Sequence, residues 1–372
     1  MAGRYPLTDS ELDAILGRAL DGITPDRSEI PGLLSLRRKD RLDRLFQAAR
    51  QIRHRFFGST VYLYGFVYFS TYCRNNCRFC HFRASNRQVV RYRKSLGEII
   101  DAAGRLADAG VHLIDLTMGE DPAYLEQGVR GYEALIQLIK QVKIRCQRPV
   151  MISAGVIPEK ILRQAALAGA DWYACYQETH NRSLFARLRP GQDYDIRWQA
   201  KTDARRAGLL VEEGLLAGVG EQIEDISSSI AAMRRLDADQ VRMMTFVPRK
   251  HIPLTPAAET DTLRERVTLA VMRLVFPDRL IPASLDIDGL SGLTHRLDAG
   301  ANVVTSLILP GEGLAGVAHR HLDIEAARRT PAGILPVLEN RGLTPASLTD
   351  YISWMERRQS GRKGRLERLE RA

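Results

Sequence analysis

The feature that most constrains the fold is a regular alternation of short apolar segments with segments that suit helices. Eight apolar, β-branched or aromatic segments of strand length recur along the chain, beginning at Val61, Val111, Pro149, Asp171, Leu209, Asp239, Leu280 and Ala301. The segments between them often end in glycine, as in ADAG, ALAGA, RRAG and LDAGA, which is typical of a helix C-terminus. The pattern therefore predicts consecutive strand and helix units.

The number and character of these units indicate the fold class. Strands that are almost wholly apolar and alternate with helices predict a parallel sheet whose faces are covered by helices. Eight such units fit an α/β protein with a (β/α)8 barrel of the TIM type, and a doubly wound open sheet is the alternative. The barrel is favoured because charged and polar residues cluster at the strand ends, where such barrels build their active sites.

Helical patterns also lie outside the strand-rich part of the chain. Thr8 and Glu11 have capping-box spacing ahead of an apolar run, and Ser95 and Glu98 have the same spacing at the start of a later helix. We expect three parts, an N-terminal helical segment, a barrel, and a C-terminal helical extension with a basic tail, over residues 1–57, 58–310 and 311–372.

Charge and hydropathy narrow the setting in which the protein works. The N-terminus is polar and acidic, which does not suit a signal peptide, and no apolar run approaches the roughly 18 to 20 residues of a membrane span. Half of the net charge of +10 lies in the tail from Arg357 onwards, and no aromatic residue is interleaved there to stack on bases. We therefore expect a soluble, cytoplasmic protein without membrane or nucleic acid partners.

Three of the five cysteines lie within eight positions, in the segment TYCRNNCRFCHFRASN directly after the first predicted strand. Structural zinc sites commonly take four ligands, and His81 follows Cys80 too closely to complete such a site without strain. A four-iron cluster with one open iron suits three thiolates better. Cys73, Cys77 and Cys80 are the candidate metal ligands, and zinc or three uncoordinated thiols are the alternatives.

The C-x3-C-x2-C triplet, with Phe79 before its last cysteine, resembles that of the radical S-adenosylmethionine (SAM) superfamily. The resemblance implies that the three cysteines bind three irons of a [4Fe-4S] cluster and that the fourth iron binds the amino and carboxylate groups of SAM. It implies a cofactor-binding role for Phe79 and an electron donor protein that reduces the cluster. Cleavage of SAM in this superfamily releases a 5'-deoxyadenosyl radical.

The end of the second predicted strand extends the resemblance. TMGED resembles the Gly-Gly-Glu motif of the superfamily, with Met118 in place of the first glycine. The resemblance implies that Gly119 and Glu120 hold the SAM amino group. A turn glycine beside a surface acid is the alternative.

Later positions resemble the biotin-synthase-like subgroup. Glu178, in YQETHN, resembles a glutamate that contacts the SAM ribose or amine, and Arg197 resembles an arginine near the SAM carboxylate. Gly218 and Gly220, in GLLAGVGE, resemble the glycines that let the cofactor approach the backbone. For Arg197, a place on a helix surface is the alternative.

A closer resemblance covers most of the chain. YGFVYFSTYCRNNCRFCHFRASN, DLTMGEDP, QVRMMTFVP and PASLDIDGL with AGANVVTSLI are together similar to a lysine-isomerising branch of the superfamily, which makes (3R)-3-methyl-D-ornithine for pyrrolysine biosynthesis. The resemblance implies an isomerase with L-lysine as its small-molecule substrate. It also implies that a hydrogen atom is removed from lysine, that the Cα–Cβ bond breaks and the fragments rejoin, and that SAM is regenerated.

A carboxylate and two ammonium groups must be bound if lysine is the substrate. Arg242, on the sixth predicted strand, offers a guanidinium to the carboxylate. Ser284 and Asp286 end the seventh strand two residues apart, so both point the same way and suit an ammonium group. Asp121 pairs with the second ammonium or caps the helix at Pro122. A structural salt bridge for Arg242 and a turn role for Asp286 are alternatives.

Two other functions compete with the isomerase. A biotin-synthase-like or hydrogenase-maturase-like enzyme would act on another small substrate, and sulfur insertion would need ligands for a second cluster. Only Cys146 and Cys175 remain; Cys146 precedes the third strand, and strand alternation places Cys175 opposite Glu178. The other alternative is a non-enzymatic iron-sulfur or RNA-binding protein that uses the basic tail.

Overall fold

The computed structural model describes residues 6–126, 129–255, 262–312 and 321–370. Eight parallel strands form its centre: β1 Thr60–Ser70, β2 Leu113–Met118, β3 Val150–Ser153, β4 Trp172–Ala174, β5 Leu210–Ala217, β6 Gln240–Thr245, β7 Pro282–Ser284 and β8 Val303–Leu307. Each coincides with one of the apolar segments that predicted it, although β1 begins one residue before its segment, at Thr60. A short strand, β9 Thr344–Pro345, pairs with the start of β1.

The strands are ordered β6-β5-β4-β3-β2-β1-β8-β7. An isolated parallel bridge between Gln240 and Leu280 joins the start of β6 to the segment that leads into β7, and the amide of Val241 donates to the Leu280 carbonyl over 3.0 Å. The sheet thus closes on itself at this end. The predicted (β/α)8 barrel is confirmed, and the open-sheet alternative is wrong.

Helices surround the barrel and extend from both of its ends. They are α1 Asp9–Leu20, α2 Ile30–Leu34, α3 Lys39–Phe57, α4 Leu96–Asp108, α5 Pro122–Leu125, α6 Val129–Cys146, α7 Glu159–Leu167, α8 Arg182–Leu188, α9 Tyr194–Arg206, α10 Ile223–Leu236, α11 Thr262–Val275, α12 Leu290–Asp298, α13 His321–Glu325, α14 Pro331–Glu339 and α15 Leu348–Glu370. Capping boxes begin α1 at Thr8 and α4 at Ser95, as the spacing predicts. None of these helices is long and apolar enough to cross a membrane.

The C-terminal helix α15 covers the end of the barrel at which the strands begin. The hydroxyl oxygens of Tyr351 and Tyr64 lie 2.6 Å apart, and Trp354 stacks on Trp172 with ring centres 6.0 Å apart. The predicted helical extension is thus confirmed, although the division of the chain into three parts remains a prediction. Side chains of the basic tail beyond Gly361 lie outside the described part of the chain. With this end covered, the opposite end is left for a site.

Candidate cofactor and substrate site

Two adjoining cavities lie where the strands end. The cysteine cavity, of about 250 Å³, is lined by Cys73, Cys77 and Cys80. The arginine cavity, of about 240 Å³, is lined by Arg242 and also reaches Cys80. Their common walls are formed by Tyr68, Phe79, Cys80, Phe82, Thr117, Ser153, Tyr176 and Glu178. Molecules bound in the two cavities would therefore lie side by side.

The cysteine loop is held firmly by backbone hydrogen bonds. The amide of Arg74 donates to the Glu120 carbonyl over 2.9 Å, and the amide of Arg78 donates to the Leu188 carbonyl over 2.8 Å. The guanidinium of Arg91 donates to the Phe82 carbonyl over 3.0 Å. These bonds tie the loop to the ends of β2 and α8, so the three sulfur atoms share a fixed cavity.

The thiols sit in surroundings that suit a metal cluster. Burial and the neighbouring Cys77 and Cys73 raise the pKa of Cys80 to about 12, so bare thiolates would repel one another unless cations lay between them. Among the described residues, no group of three or more His, Cys, Asp and Glu side chains could hold a single metal ion. In an iron-sulfur cluster each cysteine binds a different iron, so the sulfurs need not converge on one point. The residues fit such a cluster better than a zinc ion.

Gly119 and Glu120 lie where β2 meets the cysteine loop. A Cβ atom at Gly119 would lie 2.6 Å from the Tyr72 carbonyl oxygen, so only glycine fits. The buried Glu120 carboxylate accepts hydrogen bonds from Arg197 Nη1 and Arg74 Nε, both over 3.1 Å. Burial would raise the pKa of Glu120, but these cations outweigh it and the pKa lies below its usual value. Arg197 is buried and is not a helix-surface residue.

Glu178 lines both cavities. One carboxylate oxygen accepts a hydrogen bond from Arg189 Nη2 over 2.8 Å, whereas the buried Oε2 has no hydrogen-bond partner in the described part of the chain. The backbone has φ 66°, and such strain in a non-glycine residue is often found at functional sites. The free oxygen suits a hydroxyl or ammonium donor in the cavity.

The structure places Gly218, Gly220 and Cys175 differently from what the sequence pattern predicts. Gly218 and Gly220 have φ 80° and 97° and require glycine, but the structure places neither among the residues that line the two cavities. Cys175 was predicted to face away from Glu178, and this prediction is wrong because both line the cysteine cavity. Strand alternation does not apply between them because β4 ends at Ala174.

Arg242 has an ion-pair partner and also a terminal nitrogen without a hydrogen-bond partner in the described structure. Its Nε lies 2.5 Å from Glu212 Oε1, and its Nη1 donates to Thr305 Oγ1 over 3.4 Å. The remaining nitrogen, Nη2, is buried and has no hydrogen-bond partner among the described residues. The guanidinium can therefore keep its structural ion pair and still bind an anion in the arginine cavity.

The structure brings Ser284 and Asp286 together but only Asp286 lines the arginine cavity. The carboxylate of Asp286 accepts hydrogen bonds from Ser306 Oγ over 2.7 Å and from Arg329 Nη1 over 2.9 Å. The hydroxyl of Ser284 is buried and accepts the Asp286 amide over 3.3 Å. Ser284 thus helps to position Asp286 but does not itself line the cavity.

Asp121 does not line either cavity. Its carboxylate caps α5 by accepting the Ala123 amide over 2.9 Å, and it pairs with Arg93 at 2.7 Å and 2.8 Å. The geometry is that of the helix cap, one of the two roles that the sequence allows for this residue.

Two residues of the site were missed from the sequence. Asp115 lies on β2, lines the arginine cavity and is 1% exposed; its Oδ1 has no hydrogen-bond partner within the described ranges. Burial, with the charges of Glu212 and Asp286, raises the pKa of Asp115 to about 7. An acid inside the apolar segment LIDLTM was a usable signal, because burying a charge is costly. Arg189 follows α8 in RLRPG, where nothing in the pattern marks it.

Comparisons with known proteins agree with this geometry. The profile of the radical SAM superfamily matches residues 67–232. The chain is 39% identical to the 3-methylornithine synthase of Methanosarcina acetivorans, over 93% of this chain and 97% of that protein. It is 41% identical to the 3-methylornithine synthase of Methanosarcina barkeri, over 92% of this chain and 96% of that protein.

A solved structure gives the same result. The crystal structure of methylornithine synthase (PylB) superposes with a TM-score of 0.85 at 39% identity, over 91% of this chain and 99% of that one. The hydrogenase maturase HydG superposes with a TM-score of 0.79 at 21% identity, over 91% of this chain and 77% of that one, which shows the shared fold alone. Similarity of this extent and level means that the chain belongs to the 3-methylornithine synthase family of the radical SAM superfamily.

Proposed function

We propose that this radical SAM enzyme isomerises L-lysine to (3R)-3-methyl-D-ornithine, the reaction that serves pyrrolysine biosynthesis. One observation carries the proposal: the cysteine cavity shares walls with a second cavity that holds both an unpaired guanidinium nitrogen and buried carboxylates. A site of this kind suits a small amino acid placed against the cofactor. The test is the anaerobic formation of a lysine isomer by reconstituted protein with SAM, a reductant and L-lysine.

The cofactors are a [4Fe-4S] cluster and SAM, which when bound supply a 5'-deoxyadenosyl radical that removes a hydrogen atom. In our proposal Cys73, Cys77 and Cys80 hold the cluster. Phe79 forms part of the wall common to both cavities and packs beside the SAM site, separating the cofactor from bulk water.

The residues that hold SAM are proposed from their charge and position. Glu120, whose carboxylate is kept ionised by two arginines, binds the amino group beside Gly119. Arg197 lines the same cavity and attracts the carboxylate of SAM. The unbonded oxygen of Glu178 accepts a hydrogen bond from a ribose hydroxyl of SAM. Gly218 and Gly220 shape the loop after β5 but line neither cavity.

The substrate residues are proposed from the charged side chains that line the arginine cavity and from their partners. Arg242 is balanced by Glu212, and Asp286 is balanced by Arg329. The Oδ1 atom of Asp115 has no hydrogen-bond partner in the described structure. Arg249 also lines this cavity, and its charge interacts with that of Asp286. L-Lysine carries one more positive charge than negative, so its carboxylate on Arg242 Nη2 leaves ammonium groups for Asp286 and Asp115.

Binding at several points also suits the proposed rearrangement. Arg242 lies on β6, Asp115 on β2 and Asp286 after β7, so the three anchors approach from different sides of the barrel. Fragments formed when the Cα–Cβ bond breaks would each stay attached to a charged group. The aromatic walls formed by Phe66, Tyr68, Phe82 and Tyr176 exclude water that could quench a radical.

A small-molecule substrate and an electron donor are the partners expected of such an enzyme. The segment from 71 to 97 contains seven basic residues and no acidic one, which would attract an acidic reducing protein to the cluster loop. We expect the protein to work in the cytoplasm.

The alternative with a second cluster is tested by iron and sulfide analysis. Cys146 ends α6, and burial raises its pKa to about 11, as for an inert structural thiol. Four irons per chain support the isomerase. Near eight irons per chain would instead support a sulfur-inserting enzyme.

A further inference from the structure

Cys77 differs from the other two cysteines of the cluster loop in its hydrogen bonds. Its sulfur accepts a hydrogen bond from Gln192 Nε2 over 3.0 Å and another from Arg189 Nη1 over 3.3 Å. The sulfur of Cys73 accepts from the backbone amide of Asn75 over 3.4 Å. Cys77 is also the most deeply buried of the three, at 6% exposure, so its hydrogen bonds have little competition from water.

We propose that Arg189 and Gln192 set the reduction potential of the iron-sulfur cluster through these hydrogen bonds to Cys77. The inference rests on the proposed role of Cys77 as a cluster ligand. Hydrogen bonds to the cysteine sulfurs and the local charge are among the factors that determine cluster potentials. Donors and a positive charge stabilise the electron-rich, reduced cluster more than the oxidised one, so they raise the potential.

The position of Arg189 is fixed by contacts of both its terminal nitrogens and of its planar face. Its Nη2 donates to the Tyr176 carbonyl over 3.1 Å and to Glu178 Oε1 over 2.8 Å. Its planar group lies 5.0 Å from the centre of the Phe79 ring. Because the group is planar and rigid, these contacts determine where Nη1 points, which is toward Cys77.

The orientation of the Gln192 amide is fixed by charge. Its Oε1 accepts from Arg189 Nη1 over 3.4 Å and from Arg197 Nη1 over 3.3 Å. An amide oxygen placed between two guanidinium groups cannot exchange places with the NH₂ group without severe repulsion. The NH₂ group must therefore face the sulfur of Cys77.

The same arginine links the cluster to the proposed SAM site. Arg189 bonds Cys77 through one terminal nitrogen and Glu178 through the other. Charge that accumulates on the cluster when it is reduced is thus felt by the residue that we propose contacts the SAM ribose. A purely structural arginine would not need to touch the cluster ligand.

A redox titration followed by electron paramagnetic resonance tests the proposal on reconstituted protein without SAM. Arg189→Met and Gln192→Leu should both lower the reduction potential and alter the g-values of the reduced cluster. The shift should be larger for Arg189→Met, which removes a charge as well as a donor. Arg187→Met, a change of the same charge at an exposed position on α8, should leave the potential unchanged.

Unchanged potentials in both variants, with four irons still bound, would overturn the proposal. If Arg189→Met does not retain iron, Gln192→Leu decides, since it leaves the pair of Arg189 and Glu178 in place. Iron analysis of Cys77→Ala tests the underlying ligand separately. Full iron content in that variant would refute the ligand role, whereas lost iron with unshifted potentials in the other variants refutes only the tuning.

Discussion

At the scale of the residue, Asp115 illustrates how function and stability oppose each other. It is a buried acid on an inner strand, with a pKa raised to about 7 by burial and by the charges of Glu212 and Asp286. A carboxylate held this way is costly to ionise in the folded protein. Ionisation of Asp115 becomes favourable only when a cation enters the cavity. The ammonium group of a bound lysine would be such a cation.

Binding of lysine should therefore weaken as the pH falls through about 7, the pKa of Asp115. Above this pH the side chain is ionised and pairs with an ammonium group, and below it the protonated acid cannot. The KM for lysine measured between about pH 6 and 8.5 should rise at the acidic end, and Asp115→Asn should remove that dependence. A dependence that persists unchanged in the variant would contradict this role.

The same substitution should make the protein more stable. Because the folded pKa of Asp115 lies above the unfolded value, its favourable contribution is present at low pH and is lost as the pH rises to about 7. Above that pH, Asp115→Asn should raise the free energy of unfolding by about 1–3 kcal/mol. Denaturant titration at pH 8 would measure this gain.

Arg242 should separate substrate binding from cofactor chemistry. Arg242→Ala should abolish lysine turnover but leave SAM cleavage to 5'-deoxyadenosine in place. It should also cost about 3–5 kcal/mol of stability by leaving the charge of Glu212 buried and unpaired. The double variant with Glu212→Gln restores the balance of charge and serves as the folding control. Equal loss of SAM binding would show that Arg242 serves the cofactor.

Sequence patterns could predict some residues of the site but not others. Arg242 and Asp286 stood out because charges within or directly after apolar strands need a partner. Asp121 had the same features, yet it caps α5 and pairs with Arg93. Arg189 could not be found, because its contact with Cys77 joins positions 112 residues apart and depends on how the chain returns after β4.

At the scale of the element, a buried ionic network holds β4, β5 and α9 together. Lys201 Nζ donates to Gln177 Oε1 over 2.7 Å and pairs with Glu213, and both charged groups are fully buried. The Glu213 carboxylate in turn accepts a hydrogen bond from the backbone amide of Gln177 over 2.8 Å, next to the strained Glu178. Burial opposes ionisation of Glu213, but Lys201 and His180 lower its pKa to about 2.

Loss of one partner in this network should be costly. Lys201→Met should lower the free energy of unfolding by about 3–5 kcal/mol, because Glu213 would lose the cation that compensates its buried charge most strongly. Thermal unfolding would show the loss, and the double variant with Glu213→Gln should recover much of it. Equal stability of the single variant and the wild type would mean that the pair of Lys201 and Glu213 does not stabilise the fold.

The elements themselves followed from local patterns. The eight strands were predictable because each is buried on both faces and so is almost wholly apolar, and the helices α1 and α4 because capping boxes mark their starts. The direction of Cys175 was not predictable, because β4 ends earlier than its apolar segment. The sequence pattern does not record where a strand stops pairing.

At the scale of the whole molecule, the two ends of the barrel differ in structure. One end is filled by α15 through Tyr351 and Trp354, and the other carries the two cavities. The described contacts of α15 reach as far as Gln359, which donates to the Gly208 carbonyl over 3.3 Å. The tail from Arg357 onwards carries half of the formal net charge of +10.

Truncation should divide α15 into a structural and a dispensable part. Removal of all residues after Gly361 should leave the melting temperature and activity unchanged. Removal of all residues after Ser347 should expose Tyr64 and Trp172 and prevent stable folding. Activity that disappears on the shorter truncation, in protein that still melts normally, would assign a catalytic or partner-binding role to the basic tail.

The central claim is that the radical formed at the cysteine cavity rearranges lysine in the adjoining cavity. The most direct measurement is anaerobic incubation of the reconstituted protein with SAM, dithionite and L-lysine, followed by chromatography and mass spectrometry. We predict a product with the mass of lysine but the retention of 3-methylornithine, formed with no net consumption of SAM. Lysine recovered unchanged while 5'-deoxyadenosine accumulates would contradict the account.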